Sequence, residues 1–400
     1  MQKTTGLCLA AIAATASLAI AGGDGEKNRA KAKQLRNETD KVTLERLAAT
    51  TGEANDGFSF SFADHHGSMS MSNRVQVLFT NQTQEGTADV DSFSIRQART
   101  SMSGHIYSDN LTYKVQLDWA GGGNNNLLDA WFNWGDVWNG IDLRIGQQKP
   151  HHGKEFQGTS ANLEHTTRSL ASRTFSGNRV IGAYLHGGLM ETVTWWAGAA
   201  NNDAANNTYD ESLAAGNGDN ELNYFVNVQV DPFGDSGDEG YVQADLGHSQ
   251  NAVGSIGASV MFGNHRTGGS DVETTSLNVY TNWHYRGLSV LAEMFQRSDE
   301  NVGGADNDTD GLAIGAGYAM QPAEEGGTQW GFALRYSTVA DDGNGVFSTP
   351  AGDQNELSAT ITNYYHGNNM KSQLSYRNTE DDAGVAEDAH TIDILFQWKF

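Results

Sequence analysis

From about Ser68 to Phe400 the chain alternates apolar and polar residues at period two, in segments of roughly 8–12 residues broken at Gly, Asn or Asp clusters. In Leu111–Trp119 the odd positions Leu111, Tyr113, Val115, Leu117 and Trp119 are apolar. The even positions Thr112, Lys114, Gln116 and Asp118 are polar. Leu222–Val230 repeats this with Leu222, Tyr224, Val226, Val228 and Val230 against Asn223, Asn227 and Gln229. Leu277–Tyr285 opposes Asn278, Asn282 and His284 to its apolar positions, and Gln329–Tyr336 sets Trp330, Phe332, Leu334 and Tyr336 against Gly331, Ala333 and Arg335. Such residues predict two-faced β-strands.

A water-soluble sandwich also alternates. Three features point instead to a membrane barrel. The polar faces carry Lys114, Asp118, Arg144, Arg335 and Lys371, charges that need water or partners. Aromatic residues gather near segment ends at Trp119, Trp134, Tyr285, Tyr336 and Trp398, as girdle residues do. Long connections alternate with short ones. Counting strands gives seventeen unless Tyr241–Ser249, which Gly and Asp interrupt, is absorbed into a long periplasmic turn at 231–253. An even count keeps both termini on one side, so sixteen antiparallel strands are expected. Eight outer loops then fall near 81–91, 120–126, 148–178, 200–220, 264–272, 298–310, 338–354 and 378–390. Sixteen strands enclose an aqueous channel rather than a filled core.

The last strand is the most specific element. Ile392, Ile394, Phe396, Trp398 and Phe400 alternate with Thr391, Asp393, Gln397 and Lys399. The aromatic residues Phe396, Trp398 and Phe400 suit a lipid-facing strand and resemble the signal read by the barrel-assembly machinery.

Composition agrees with this architecture. Gly is abundant at 47 and Pro scarce at 4, while the hydrophobic fraction of 38% is low for a soluble core in a 400-residue chain. Lys3, the apolar run Leu7–Ile20 and the small residues at Ala19-Ile20-Ala21 read as a signal peptide over 1–21. Cys8, the single cysteine, lies within it, so neither a disulfide framework nor a thiolate metal site is expected. Residues 22–57 form a polar leader in which Leu35, Val42 and Ala49 permit a short helix or coiled coil. The barrel domain is expected over 58–400, in a Gram-negative outer membrane, with no helical span.

Several motifs carry a family resemblance. Asp91-Ser-Phe-Ser-Ile-Arg96-Gln-Ala-Arg99 with Gly104-His-Ile-Tyr107 resembles the early strand pair of the phosphate-selective porins O and P. Gly146-Gln-Gln-Lys149-Pro150-His-His-Gly153-Lys-Glu155 looks like the motif that opens that family's third loop. Arg168-Ser169-Leu170 and Gly177-Asn-Arg179-Val-Ile-Gly182 resemble its continuation, and Gly287-Leu-Ser-Val-Leu-Ala-Glu293 a later strand. The resemblance implies a homotrimeric porin whose third loop folds inward and narrows the pore. The sequence departs from the pattern at Arg96-Gln97, where paired arginines are frequent, and at His151-His152, which stand for Pro-Phe.

Charge distribution locates the candidate chemistry. The formal net charge is −24 and the acids crowd the loops, with nine acidic residues and no basic one in 200–240. That surface suits solvation, or cation-bridged contact with lipopolysaccharide. The 148–178 loop and its exit reverse the sign: Lys149, Lys154, Arg168, Arg173 and Arg179 face Glu155 and Glu164. These five are the candidate anion-binding constriction, or else they pin the loop to acids such as Asp118, Asp129 and Asp142. Arg74, Arg96, Arg99, Lys114, Arg144, Arg335 and Lys371 are candidate pore-wall cations. Period two turns Arg74, Lys114, Arg144, Arg335 and Lys371 inward, and the Arg96–Arg99 stretch breaks register as a bulge would. His65-His66 and His151-His152 lack the carboxylates that would complete a metal site. The expected activity is passive diffusion of small anions such as phosphate. No cofactor, catalysis or nucleic acid is expected. A general or cation-preferring pore, a barrel hydrolase and an adhesive barrel are the alternatives.

Overall fold

The computed structural model describes residues 58–61, 67–84, 86, 88–120, 127–176, 179–201, 221–233, 241–267, 270–301, 306–324, 327–341, 353–381 and 388–400. The expected signal peptide, the leader and His65-His66 lie outside the described residues. In chain order the first strands are β1 (Phe58–Ser61), β2 (Ser68–Gln84), β3 (Val90–Ile106), β4 (Ser108–Asp118), β5 (Leu127–Trp138) and β6 (Ile141–Gln148). Next come β7 (Val180–Met190), β8 (Val193–Asn201), β9 (Leu222–Val230), β10 (Val253–Thr267), β11 (Ser270–Tyr285) and β12 (Leu288–Asn301). The last are β13 (Asn307–Ala319), β14 (Gln329–Asp341), β15 (Gln354–His366), β16 (Met370–Asp381) and β17 (Ala389–Lys399).

Consecutive strands from β2 to β17 pair antiparallel, and β17 returns to β2 with Phe396 opposite Val77. The sheet is therefore a closed ring of sixteen strands. The seventeenth, β1, runs beside the first residues of β2, Phe58 opposite Met71. It takes up the edge that β17 leaves free where Phe400 exchanges backbone hydrogen bonds of 2.6 and 2.9 Å with Asn73. Closure satisfies the backbone groups that an open sheet would present to hydrocarbon.

Alternation is inverted relative to a soluble protein. Leu334, Leu357 and Phe396 are 62%, 51% and 50% exposed, whereas Ser358 and Gln397 are each 1% exposed. Apolar residues point outward and polar residues inward, as strands between lipid and channel water require. Two expected loops are largely strand. Residues near 264–272 form the ends of β10 and β11, paired to Thr267 opposite Ser270, and β12 and β13 extend into 298–310. Beyond the lipid both faces of a hairpin meet water, so the ladder continues while the apolar pattern that marks it in sequence fades. The β9–β10 connection contains no strand among its described residues, yet it is not an exposed turn: Tyr241, Ala244 and Asp245 are buried.

The connection from β6 to β7 is the third outer one, and it carries α1 (Lys154–Gln157), a 3₁₀ turn (Ser160–Asn162) and α2 (Leu170–Phe175). Its side chains reach around the ring. His152 lies between Ser259 of β10 and Ser276 of β11 at 3.0 and 2.9 Å, and His165 meets Thr360 of β15 at 2.9 Å. Thr166 donates to Asp393 of β17 at 3.0 Å, and Arg74 of β2 donates to Thr159 at 2.9 Å. The segment is thus bonded to side chains of β2, β10, β11, β15 and β17. Ser169 caps α2 by accepting from the Ser172 amide at 3.1 Å. The helix then seats Leu170, Ala171 and Phe175 on Phe295, Ala313 and Val339 of β12, β13 and β14. Phe175 and Phe295 stack with ring centroids 5.0 Å apart.

Replacing Phe175 by Ala removes the anchor of this cluster. Docking of the loop is expected to weaken by about 3–5 kcal/mol, the usual cost of emptying a packed aromatic site. Limited proteolysis should cut the Phe175→Ala loop near 160–176 faster than wild type. Heat-resistant mobility of the barrel in detergent gels should stay unchanged.

Candidate functional site

The loop is held by a chain of charges along one wall. The buried Glu155 carboxylate accepts from the Ser169 amide and hydroxyl, both at 2.8 Å, from Gln243 at 2.9 Å and from Arg335 at 3.1 Å. Arg335 continues to Glu356 at 3.2 Å, which Arg173 also reaches at 2.7 Å. Burial alone would raise the Glu155 carboxyl. Arg335, followed by the Ser169 and Gln243 donors, holds it below the ordinary glutamate value. On the other side of α1, the Lys154 ammonium donates to Gln229 of β9 at 2.7 Å and its amide to Glu293 of β12 at 2.5 Å.

The β9–β10 connection meets this loop from the opposite end of the barrel. Gln243 donates its amide to Asn162 O at 3.2 Å and accepts the Glu164 amide on its side chain at 2.8 Å. Tyr241 O accepts from Asn162 at 3.4 Å, and the Tyr241 ring lies 5.3 Å from the Lys154 ammonium. The strap and the loop brace one another. Glu293 entered the sequence reading only as the end of a strand motif and Tyr241 only as the start of an interrupted segment; neither they nor Gln243 were site candidates, because their partners lie far away in the chain.

Glu164 sits in a niche that Gly317 leaves open; a Cβ there would come within 2.1 Å of the carboxylate. The Ser289 hydroxyl donates to it at 2.6 Å. Desolvation raises the Glu164 carboxyl to about 7, against the opposing pull of that hydroxyl and of Lys371. His152 falls to about 3, chiefly from burial and then from Arg297, and burial likewise lowers His165. Both histidines are neutral spacers at physiological pH. His151 stacks on Trp196 at 3.6 Å. No group of metal-ligating residues occurs among the described residues.

The five loop cations divide. Lys149 and Arg168 sit on the loop's own backbone: the ammonium donates to the carbonyls of Phe156, Gln157 and Gly158 at 2.7, 3.2 and 2.8 Å. Arg168 donates to Glu155 O at 3.2 Å and Gly158 O at 2.8 Å. Arg179 pairs with Asp129 of β5 at 2.5 Å. Lys154 and Arg173 are spent on the opposite wall, as described above. Of the wall cations, Arg74 meets Thr159 and Ser160, Lys371 reaches Leu163 O at 2.6 Å, and Arg335 bonds Glu155. Arg96 is the extra residue of a bulge opposite Gln76 and Val77, so it and Arg99 both reach inward, Arg96 to Gln76 and Arg99 to Asp118 at 2.7 Å. Lys114 joins Asp129 at 3.2 Å.

The cations that gather are Arg99, Lys114, Arg144, Lys149 and Arg179. With Gln116, Asp129, Trp131, Gln148, His151, Gln157 and Thr159 they line an open cavity between the loop and the β3–β6 wall. Asp129 is the one carboxylate among those lining residues. Mutual repulsion is felt there. Burial first, and then Arg99, Arg179 and Arg96, lower Arg168 to about 10 against the pull of Glu155. Lys149 is pushed well down by burial and then by Arg168 and Arg179. Its three carbonyl acceptors match the three N–H bonds of an ammonium and favour the charged form.

The Glu164 niche generates a pH dependence. A carboxyl raised from its ordinary value to about 7 binds its proton more tightly in the docked loop than in a released one. The Glu164 contribution to docking is therefore full at low pH and is lost as pH rises from about 4.5 through about 7. Proteolytic susceptibility of the loop should climb across that interval in wild type and stay level in Glu164→Gln. An equal climb in the variant would assign the effect to other groups.

No protein-family model and no curated relative matches the sequence. Solved structures do. The outer membrane channel DcaP of Acinetobacter baumannii aligns with a TM-score of 0.58 at 12% identity, over 85% of this chain and 99% of that one. The anion-selective porin from Comamonas acidovorans gives 0.55 at 11% identity, over 84% and 100%. The trimer form of OmpT, an outer membrane protein of Vibrio cholerae, gives 0.53 at 11% identity, over 84% and 99%. At such identities the likeness establishes the fold alone: this chain is similar to outer-membrane channels in being a closed sixteen-stranded antiparallel barrel.

Proposed function

We propose that the protein is a passive outer-membrane porin for small hydrophilic anions, phosphate among them, which cross along the basic side of the third loop. The supporting observation is the cavity of Arg99, Lys114, Arg144, Lys149 and Arg179 around a single lining carboxylate, Asp129. Carbonyl oxygens that hold Lys149 and Arg168 satisfy their N–H bonds without cancelling their charge. Cations at a narrow point draw anions in and exclude cations, and guanidinium groups offer phosphate a planar fork. The opposite side is occupied by α2, Glu155 and the β9–β10 connection, which supports the basic side as the route.

The resemblance to the phosphate-selective porins belongs to this proposal, since its third-loop motif supplies Gly146, Lys149 and Glu155. So do the homotrimer, the contact of the acidic outer loops with lipopolysaccharide, and the use of Phe396, Trp398 and Phe400 by the assembly machinery. Those three side chains are exposed on the outer face.

Reversal potentials of single channels in asymmetric KCl test the selectivity. Chloride preference is expected in wild type. Lys114→Gln should lower the chloride-to-potassium permeability ratio by up to about fivefold, as removal of one charge at about 4 Å in water implies. A cation-selective wild type would refute the anion reading and favour a general pore governed by the acidic loops.

A further inference from the structure

We propose that the basic cavity is a binding site for anions built on a flat conjugated ring, simple aromatic carboxylates being the type, with Trp131 as the platform for the ring. The inference rests on the anion pathway proposed above and names the class of solute which that pathway retains.

Trp131 lies on the lumen face of β5 between Asp129 and Asn133, both buried, while Phe132 and Trp134 point outward and are exposed. The half-buried indole lines the cavity. On its β6 side the wall carries only small residues. Trp131 is opposite Gly146 on β6, Gly146 is opposite Gly182 on β7, and Gly182 is opposite Ala200 on β8. At Gly146 φ is +130°, and a Cβ there would lie 2.2 Å from Ala130 O and 2.7 Å from Trp131 Cα. On the β6 side the position next to the indole therefore carries no side chain, while on the β4 side Lys114 stands opposite it.

The indole is also held in place. The Arg144 guanidinium lies 4.0 Å from the Trp131 ring and 4.8 Å from the Trp196 ring. Trp196 in turn stacks on His151 at 3.6 Å and on His186 at 3.8 Å. Arg144 donates to Asn133 at 3.3 Å and Gln148 at 3.5 Å, which fixes the guanidinium as well. A rigid stack behind a half-exposed indole costs little to organise when a second ring arrives. Inorganic phosphate would use the cations alone and leave the indole wet. An aromatic carboxylate uses both, its charge toward Arg99, Lys114 and Arg179 and its flat face against Trp131.

The test compares benzoate with cyclohexanecarboxylate, two monoanions of similar size that differ in flatness and π-character, as blockers of chloride current in planar bilayers. Benzoate is expected to block wild type at concentrations on the order of fivefold lower, the scale of one ring–ring contact. That ratio should fall to one in Trp131→Leu and persist in Trp131→Phe. Should Trp131→Leu fail to assemble, the wild-type ratio and Trp131→Phe still decide. Equal block by the two anions in a chloride-selective channel overturns the platform and leaves the anion pathway standing. A cation-selective channel overturns the pathway and the platform together.

Discussion

Everything in this molecule depends on the pairing of β17 with β2. Until that seam closes, the two edge strands carry a row of unpaired amide and carbonyl groups, which hydrocarbon cannot satisfy. Once it closes, each strand has one face in lipid and one in channel water, and the period-two pattern acquires its meaning. The buried polar residues Gln76, Gln397 and Asp393 near the seam are tolerable because they face one another and the loop. Gln76 donates to Gln397 at 2.5 Å, and Asp393 accepts from Thr80 at 2.7 Å and from Thr166. The seam is thus also a mooring for the loop.

A loop crossing a water-filled ring has to be fastened, and the manner of fastening decides where the pore lies. Here the fasteners are unequal. Toward β12–β14 they are apolar packing and a four-member charge chain through Glu155, Arg335, Glu356 and Arg173. Toward β4–β6 the contacts are fewer and polar, with Arg179 on Asp129 the principal one. The five loop cations divide by partner: Lys154 and Arg173 bond side chains of β9 and β15, Arg179 bonds Asp129 of β5, and Lys149 and Arg168 bond carbonyls of the loop itself.

How much of this was legible in the sequence differs by element. Strand alternation specified the ring and turned Lys114, Arg144, Arg335 and Lys371 inward, because period two reads directly onto a pleated sheet. The Arg96–Arg99 irregularity announced its bulge. Trp131 was hidden for the opposite reason. Trp131, Phe132 and Trp134 put aromatic residues on both faces of β5, so alternation could not say which ring met water. Gln243 was hidden by distance: its partners Glu155 and Glu164 lie 88 and 79 residues away, and no local pattern encodes such a meeting. The Gly- and Asp-interrupted look of Tyr241–Ser249 correctly denied a strand there but gave no sign that the segment is buried, since burial of an irregular segment depends on what lies beneath it.

The overall charge of −24 is at odds with an anion pathway only if charge is counted without regard to place. Exposed acids on outer loops are screened over about 8–10 Å at physiological ionic strength, so their reach into the bore is short. The Arg99, Lys114 and Arg179 cluster lies where screening is weakest, between protein walls. On the proposed anion pathway, an approaching anion would meet a modest, salt-dependent barrier at the mouth and a steeper attraction inside. Those two terms respond differently to salt. Added electrolyte flattens the mouth before it weakens the cluster, which makes entry, more than residence at the site, the salt-sensitive step.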